Sequence, residues 1–122
     1  MISLIITNMR FEQVEIKIIK GAYRELLLGI ELSRFGAPAS FSEVEAKHID
    51  EMVRNITANE EVNFSCNEIK VLRNMLSDLM RELNIYEFST RMGYSLSEVF
   101  VLFIKVKESV DTICIDLPNQ NS

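Results

Sequence analysis

His48 is the only histidine of the chain, and Cys66 and Cys114 are its only cysteines. Proton transfer, nucleophilic attack or metal binding would start from these three side chains. On a helix, His48 has Glu45 at i−3 and Glu51 at i+3. That setting suits a general acid or base, or a pH-sensitive contact. It equally describes a surface histidine beside carboxylates, which is the reading taken, because no placed nucleophile completes a triad. Cys66 falls in the first turn of an expected helix, where a thiolate is favoured, yet nothing local joins it to His48. The two cysteines have no metal or redox spacing. They read as reduced, half-buried thiols of a cytosolic protein. No set of His, Cys and carboxylates has metal-ligand spacing, and none of the four glycines builds a phosphate cradle. The expectation is a chain that is not an enzyme and holds no metal or cofactor.

Carboxylates are the abundant chemical resource. Glu43, Glu45, Asp50, Glu51, Glu60 and Glu61 fall close together, relieved by Lys47 and Arg54. Thirteen Lys and Arg face eighteen Asp and Glu, for a formal charge of −5. This balance argues against nucleic acid and against an anionic membrane surface, since both draw on clustered positive charge. It is compatible with a basic protein partner. The six carboxylates are therefore the candidate partner-binding residues. A docking surface of this kind raises association rate and discrimination more than raw affinity. The competing reading is a solvated helix face.

The elements that would position these groups are written twice. Phe11-x-x-x-Glu15-Ile16-Lys17 returns as Phe64-x-x-x-Glu68-Ile69-Lys70, a spacing of 53 residues from 11 to 64. Glu31-Leu32-Ser33-Arg34-Phe35-Gly36 returns as Glu87-Phe88-Ser89-Thr90-Arg91-Met92-Gly93. Ser40-Phe41-Ser42-Glu43-Val44 returns as Ser95-Leu96-Ser97-Glu98-Val99. Two copies of one supersecondary unit, about 11–56 and 64–111, follow from this pattern. Ser65-x-x-Glu68, Ser40-x-x-Glu43 and Ser95-x-x-Glu98 each fit a capping box. Apolar stripes at helical spacing predict helices over 12–30 and 66–83. Short helices over 31–35 and 85–92 follow, stopped by Gly36 and Gly93. Third helices are predicted over 41–56 and 96–111. With 48% hydrophobic residues, one domain spanning 1–122 has ample material for a core.

The third helices differ. Val99 to Ile104 is apolar on nearly every side and reads as central core, whereas Val44 to Ile49 is amphipathic. Segments 2–6 and 112–117 are the strand candidates, and Asn59-Glu60-Glu61 marks the joint between copies. The opening Met1 to Ile6 is too short for a signal peptide and lacks a preceding basic residue. No stretch reaches the length of a membrane helix. The expected fold is all-α: a single helical domain of two pseudo-repeated three-helix units, with at most short terminal strands. Residues 87–99 also look like a helix-turn-helix. A DNA-reading helix needs polar and basic residues, and neither copy offers them.

The pattern Glu68-x-x-x-Leu72-Arg73-Asn74-x-Leu76, followed by Glu87-Phe88-x-Thr90-Arg91-x-Gly93-Tyr94-Ser95, resembles a sequence type in small bacterial proteins of toxin–immunity loci. The match spans about 62–105, with a degraded version at 11–50, where Gly21 replaces Asn74 and the Thr90 equivalent is missing. By that likeness the chain is similar to immunity proteins of contact-dependent growth inhibition systems. The resemblance implies a small, cytoplasmic, non-catalytic protein, a monomer or weak dimer when free. It would bind a cognate toxin domain, often a cationic nuclease, and cover its active site. The alternative is a homodimeric structural or regulatory helical protein. Its mark would be a contiguous apolar patch left uncovered on the monomer.

Overall fold

A computed structural model describes residues 6–24, 41–82 and 94–114. It is mostly helical, with one two-stranded sheet. In chain order the elements are β1 (Ile6–Arg10), α1 (Gln13–Arg24), α2 (Glu43–Arg54), β2 (Glu61–Ser65), α3 (Cys66–Glu82) and α4 (Leu96–Ile113). The strands pair antiparallel, from Ile6 opposite Ser65 to Arg10 opposite Glu61. α3 packs against α1, α2, α4 and β2, and its contact with α4 is the most extensive between helices.

The sheet corrects the expectation of strands only at the termini. β2 lies inside the chain, beginning where the joint between copies was read. Val62 and Phe64 are buried and alternate with exposed Glu61 and Asn63, the period-two pattern of a half-buried strand. Asn59 turns the chain into it with φ 67°, a left-handed conformation that asparagine tolerates. Its N–H donates to the Phe11 carbonyl at 2.8 Å. The N-terminal strand is displaced towards 6–10, and residues 2–5 lie outside the described residues. The expected strand 112–117 is overturned where it can be seen. Thr112 and Ile113 end α4, and the Cys114 N–H caps it by donating to the Val110 carbonyl at 2.9 Å. Their β-branched side chains suggested a strand, but continuation of the helix satisfies the backbone.

Capping explains the helix starts. Ser65 and Ser95 form the expected boxes. The hydroxyl of each accepts from the N3 amide at 3.2 Å, and Glu68 and Glu98 each accept the serine amide at 2.9 Å. The box before α2 is not Ser40 with Glu43. It is Ser42 with Glu45, at 3.1 and 2.9 Å. The two-residue shift has a packing cause: Phe41 and Ala46, both buried, then take the N′ and N4 positions of a hydrophobic staple. α1 has half a box. Glu15 accepts the Glu12 amide at 2.8 Å.

With α2 starting at Glu43, one spacing relates the two halves. α1 and α3 start at 13 and 66, and α2 and α4 at 43 and 96, each pair 53 positions apart. Met9 and Val62, which stand at that spacing, face each other in the ladder. Phe11 and Phe64, at the same spacing, meet edge to face with ring centroids 6.1 Å apart and planes at 72°. Contact between like positions is what an isologous twofold arrangement produces. The short helices expected over 31–35 and 85–92, their stops Gly36 and Gly93, and the helical extensions 25–30 and 83 lie outside the described residues.

α4 is not buried all round. Val99, Leu102, Val106 and Val110 face the core, while Phe100 is 51% and Val101 64% exposed. Among the described residues one face of the helix is buried and the other is not, so the apolar run 99–104 spans both. Lys105 ties α4 to the opposite half. Its ammonium donates to the Arg10 carbonyl at 2.6 Å and to Glu15 at 2.9 Å, and it lies 5.3 Å from the Phe11 ring centroid. Glu15 is only 8% exposed, so truncating its cation strands a buried carboxylate. Lys105→Ala is expected to cost about 2 kcal/mol in urea unfolding, discounted because Lys105 itself is partly solvated. A change below about 0.5 kcal/mol would show that water replaces the lysine.

The cysteines are bonded to each other rather than reduced. Cys66, the first residue of α3, is joined to Cys114, the cap of α4, with Cα atoms 5.8 Å apart, within the usual reach of a disulfide. Their separation of 48 residues hid the pairing from any spacing rule.

Candidate partner-binding face

α2 presents two exposed flanks beside its buried stripe of Ala46, Ile49, Asp50 and Val53. The six candidate carboxylates do not all stand free on them. Asp50 is 5% exposed and bound to Arg54, whose Nε and Nη2 donate to its Oδ2 at 3.2 and 2.5 Å. That hydrogen bond and the carboxylate charge raise the Arg54 pKa further. Glu45 is held by the Ser42 amide. Glu60 accepts from the Thr57 amide at 2.9 Å, stabilising the turn before β2. Glu61 accepts from Arg10 across the ladder at 3.2 Å. Glu43 and Glu51 are exposed and form no hydrogen bond or ion pair with another described side chain, although the Glu51 charge adds to that of Asp50 in raising the Arg54 pKa. The cluster therefore supplies two uncommitted carboxylates, both on α2. The other four have work within the fold, and Asp50 is turned inward.

His48 was read beside Glu45 and Glu51. The structure carries it instead to Glu68 of α3, with Nε2 and Oε2 2.7 Å apart. Its helical neighbours disclosed no such contact. Glu68 is the N3 carboxylate of α3 and was legible only as a capping residue. Partial burial pushes its pKa up. The Ser65 amide, the hydrogen bond from His48 and the charge of that ring outweigh this and hold it below the ordinary 4.5.

The consequence for stability has a definite sign. A carboxyl whose pKa is lowered in the folded state contributes its stability above its unfolded value. That contribution is lost as pH falls from 4.5 through the lower folded value. Glu68→Gln should therefore lag the parent at neutral pH and draw level in acid. Urea unfolding of both chains across that range checks this. A gap that persists undiminished in acid would assign the effect to packing rather than ionisation.

Between α2 and α3 runs a groove of about 310 Å³. Val44, Ile49 and Val71 supply its apolar surface, and Glu45, His48 and Glu68 its polar groups. Val44 is 78% exposed, in the first turn of α2 between Glu43 and Glu45. Among the described residues no group of three or more His, Cys, Asp or Glu is placed to hold a metal ion, and no helix is long and apolar enough to cross a membrane. The bonded sulfurs remove Cys66 as a thiolate partner for His48. No protein family, curated protein or solved structure matches the chain.

Proposed function

We propose that this chain is a non-catalytic inhibitor of the immunity-protein type, which binds a basic toxin domain and covers its active site. The observation that carries the reading is the exposed flank of α2. There Glu43 and Glu51 form no ion pair or hydrogen bond with another described side chain, and the same helix supplies Val44, Glu45, His48 and Ile49 to an apolar groove. Such a face attracts a cationic surface at long range and offers it something to bury at contact. The motif over 62–105 points to the contact-dependent growth inhibition class, where the partner is a cognate toxin domain, in many cases a nuclease. The test is protection. Where a neighbouring gene encodes a protein with a basic C-terminal domain, cells that produce that domain should grow when they also make this chain and die when they do not. Death in both cases would end the proposal.

The two halves, related by one spacing and meeting through like residues at the ladder, support descent from a single duplicated three-helix unit. The duplication would then be scaffold, with the difference between α2 and α4 carrying the function.

A second reading is favoured by one observation. Leu96, Phe100 and Val101 leave an apolar strip on the outer face of α4, at 40%, 51% and 64% exposure. That strip suits a homodimer contact. Sedimentation at the monomer mass at all concentrations would remove this reading.

The compartment proposed is the cytoplasm. A Cys66–Cys114 bridge fits an oxidising compartment better. Alkylation of intact cells decides the point: two modified cysteines support the cytoplasm, and none supports an oxidising space.

A further inference from the structure

The equivalent carboxylates Glu15 and Glu68 sit in unlike surroundings. Each is the N3 residue of its helix, and each accepts the amide three residues earlier, from Glu12 at 2.8 Å and from Ser65 at 2.9 Å. Glu15 also receives the Lys105 ammonium at 2.9 Å. The lysine lies beside the Phe11 ring, and Glu15 is buried beneath it. At the same spacing, α2 offers Met52 where α4 has Lys105. No lysine of the fold therefore reaches Glu68. Its second oxygen meets His48, whose side chain is 53% exposed and can swing into solvent with little loss of buried surface. Beside it lie the apolar side chains of Val44, Ile49 and Val71.

We propose that the α2–α3 groove docks a lysine of the partner protein, its methylene stem on Val44, Ile49 and Val71 and its ammonium on Glu68. This rests on the reading of the chain as a binder of a basic protein, and it names the contact. Three properties of the site support the occupant. The carboxylate is ionised at neutral pH, because its pKa lies below the ordinary value. Glu45, which lines the groove, adds a second negative charge beside it. The fold already holds a lysine on the equivalent carboxylate, there at the oxygen that also accepts the helix amide, so a capping carboxylate of this kind tolerates an ammonium beside it. A lysine suits such a site because its stem can lie on apolar surface while its head keeps a polar contact. His48 is the resident that the ammonium displaces.

The probe is the peptide acetyl-Leu-Lys-Leu-Lys-amide, titrated into the full-length, isotopically labelled chain and followed by amide chemical shifts. Saturable shifts are expected over residues 44–49 and 67–71, and none with the glutamate analogue of the peptide. Glu68→Gln should weaken binding about tenfold, the worth of one charge-assisted hydrogen bond. His48→Ala should strengthen it by freeing the oxygen. Val44→Ser, which changes an exposed side chain and leaves the fold intact, should weaken it as well. Shifts elsewhere, no saturation, equal response to the glutamate peptide, or a His48→Ala variant that binds more weakly would each overturn the proposal. The protection assay stands apart. If the parent protects and Val44→Ser with Glu68→Gln protects equally well, the groove is wrong and the inhibitor reading survives. If the parent fails to protect, the reading falls whatever the peptide does.

Discussion

Replacing Cys66 and Cys114 together by serine is expected to lower the unfolding free energy by about 4 kcal/mol. The figure follows from the loop that the bridge closes, with partners 48 residues apart, because a cross-link of that span removes much of the freedom of the unfolded chain. The bridge fastens the start of α3 to the end of α4, the pair of helices in most extensive contact. The loss should therefore appear in the global transition, not as local fraying. Urea unfolding of the parent, the double serine variant and the reduced parent checks it, and the last two should coincide. A loss below about 1 kcal/mol would mean that the unfolded chain keeps these helices together without the bond.

The second large effect is expected in β2. Phe64→Ala should cost about 3–5 kcal/mol. The ring is fully buried and meets Phe11 edge to face, so truncation removes apolar burial, opens a cavity and forfeits an aromatic pair. The informative control is Phe100→Ala, the same chemical change at a residue that is 51% exposed. It should alter stability by no more than about 0.5 kcal/mol. Comparable losses at both positions would place the outer face of α4 in the core after all.

That comparison also marks what the amino-acid order disclosed. Helix starts were legible because capping is local: Ser65 with Glu68 and Ser95 with Glu98 lie within one turn of each other. The start of α2 was misplaced because Ser40-x-x-Glu43 and Ser42-x-x-Glu45 both fit the same box, and only the inward stripe of Ala46, Ile49 and Val53 decides between them. Phe100 and Val101 read as core because composition states how apolar a helix is, not how many neighbours it has. β2 was passed over because Asn59-Glu60-Glu61 looks like a polar joint until Val62 and Phe64 are seen to alternate with Glu61 and Asn63. The disulfide and the His48–Glu68 contact join residues far apart in sequence. No periodicity could have found either.

For the candidate site, residue type was readable and engagement was not. Asp50 and Glu51 are neighbours in sequence, yet one is turned into the fold towards Arg54 and the other stands in solvent. Glu60 and Glu61 look like one acidic patch with Glu43, but they serve a turn and a cross-strand ion pair. Charge counting sees formal charge. It takes coordinates to separate a carboxylate with a partner from one without.

The central claim is that the exposed flank of α2 meets a basic protein partner. Stopped-flow association with a basic toxin domain against which the chain protects, at low and high salt, tests it most directly. Glu43→Lys with Glu51→Lys reverses the two uncommitted charges and disturbs no described ion pair. The account predicts association slower on the order of tenfold at low salt, and a weaker salt dependence than the parent shows. Association as fast and as salt-sensitive as the parent's would contradict it.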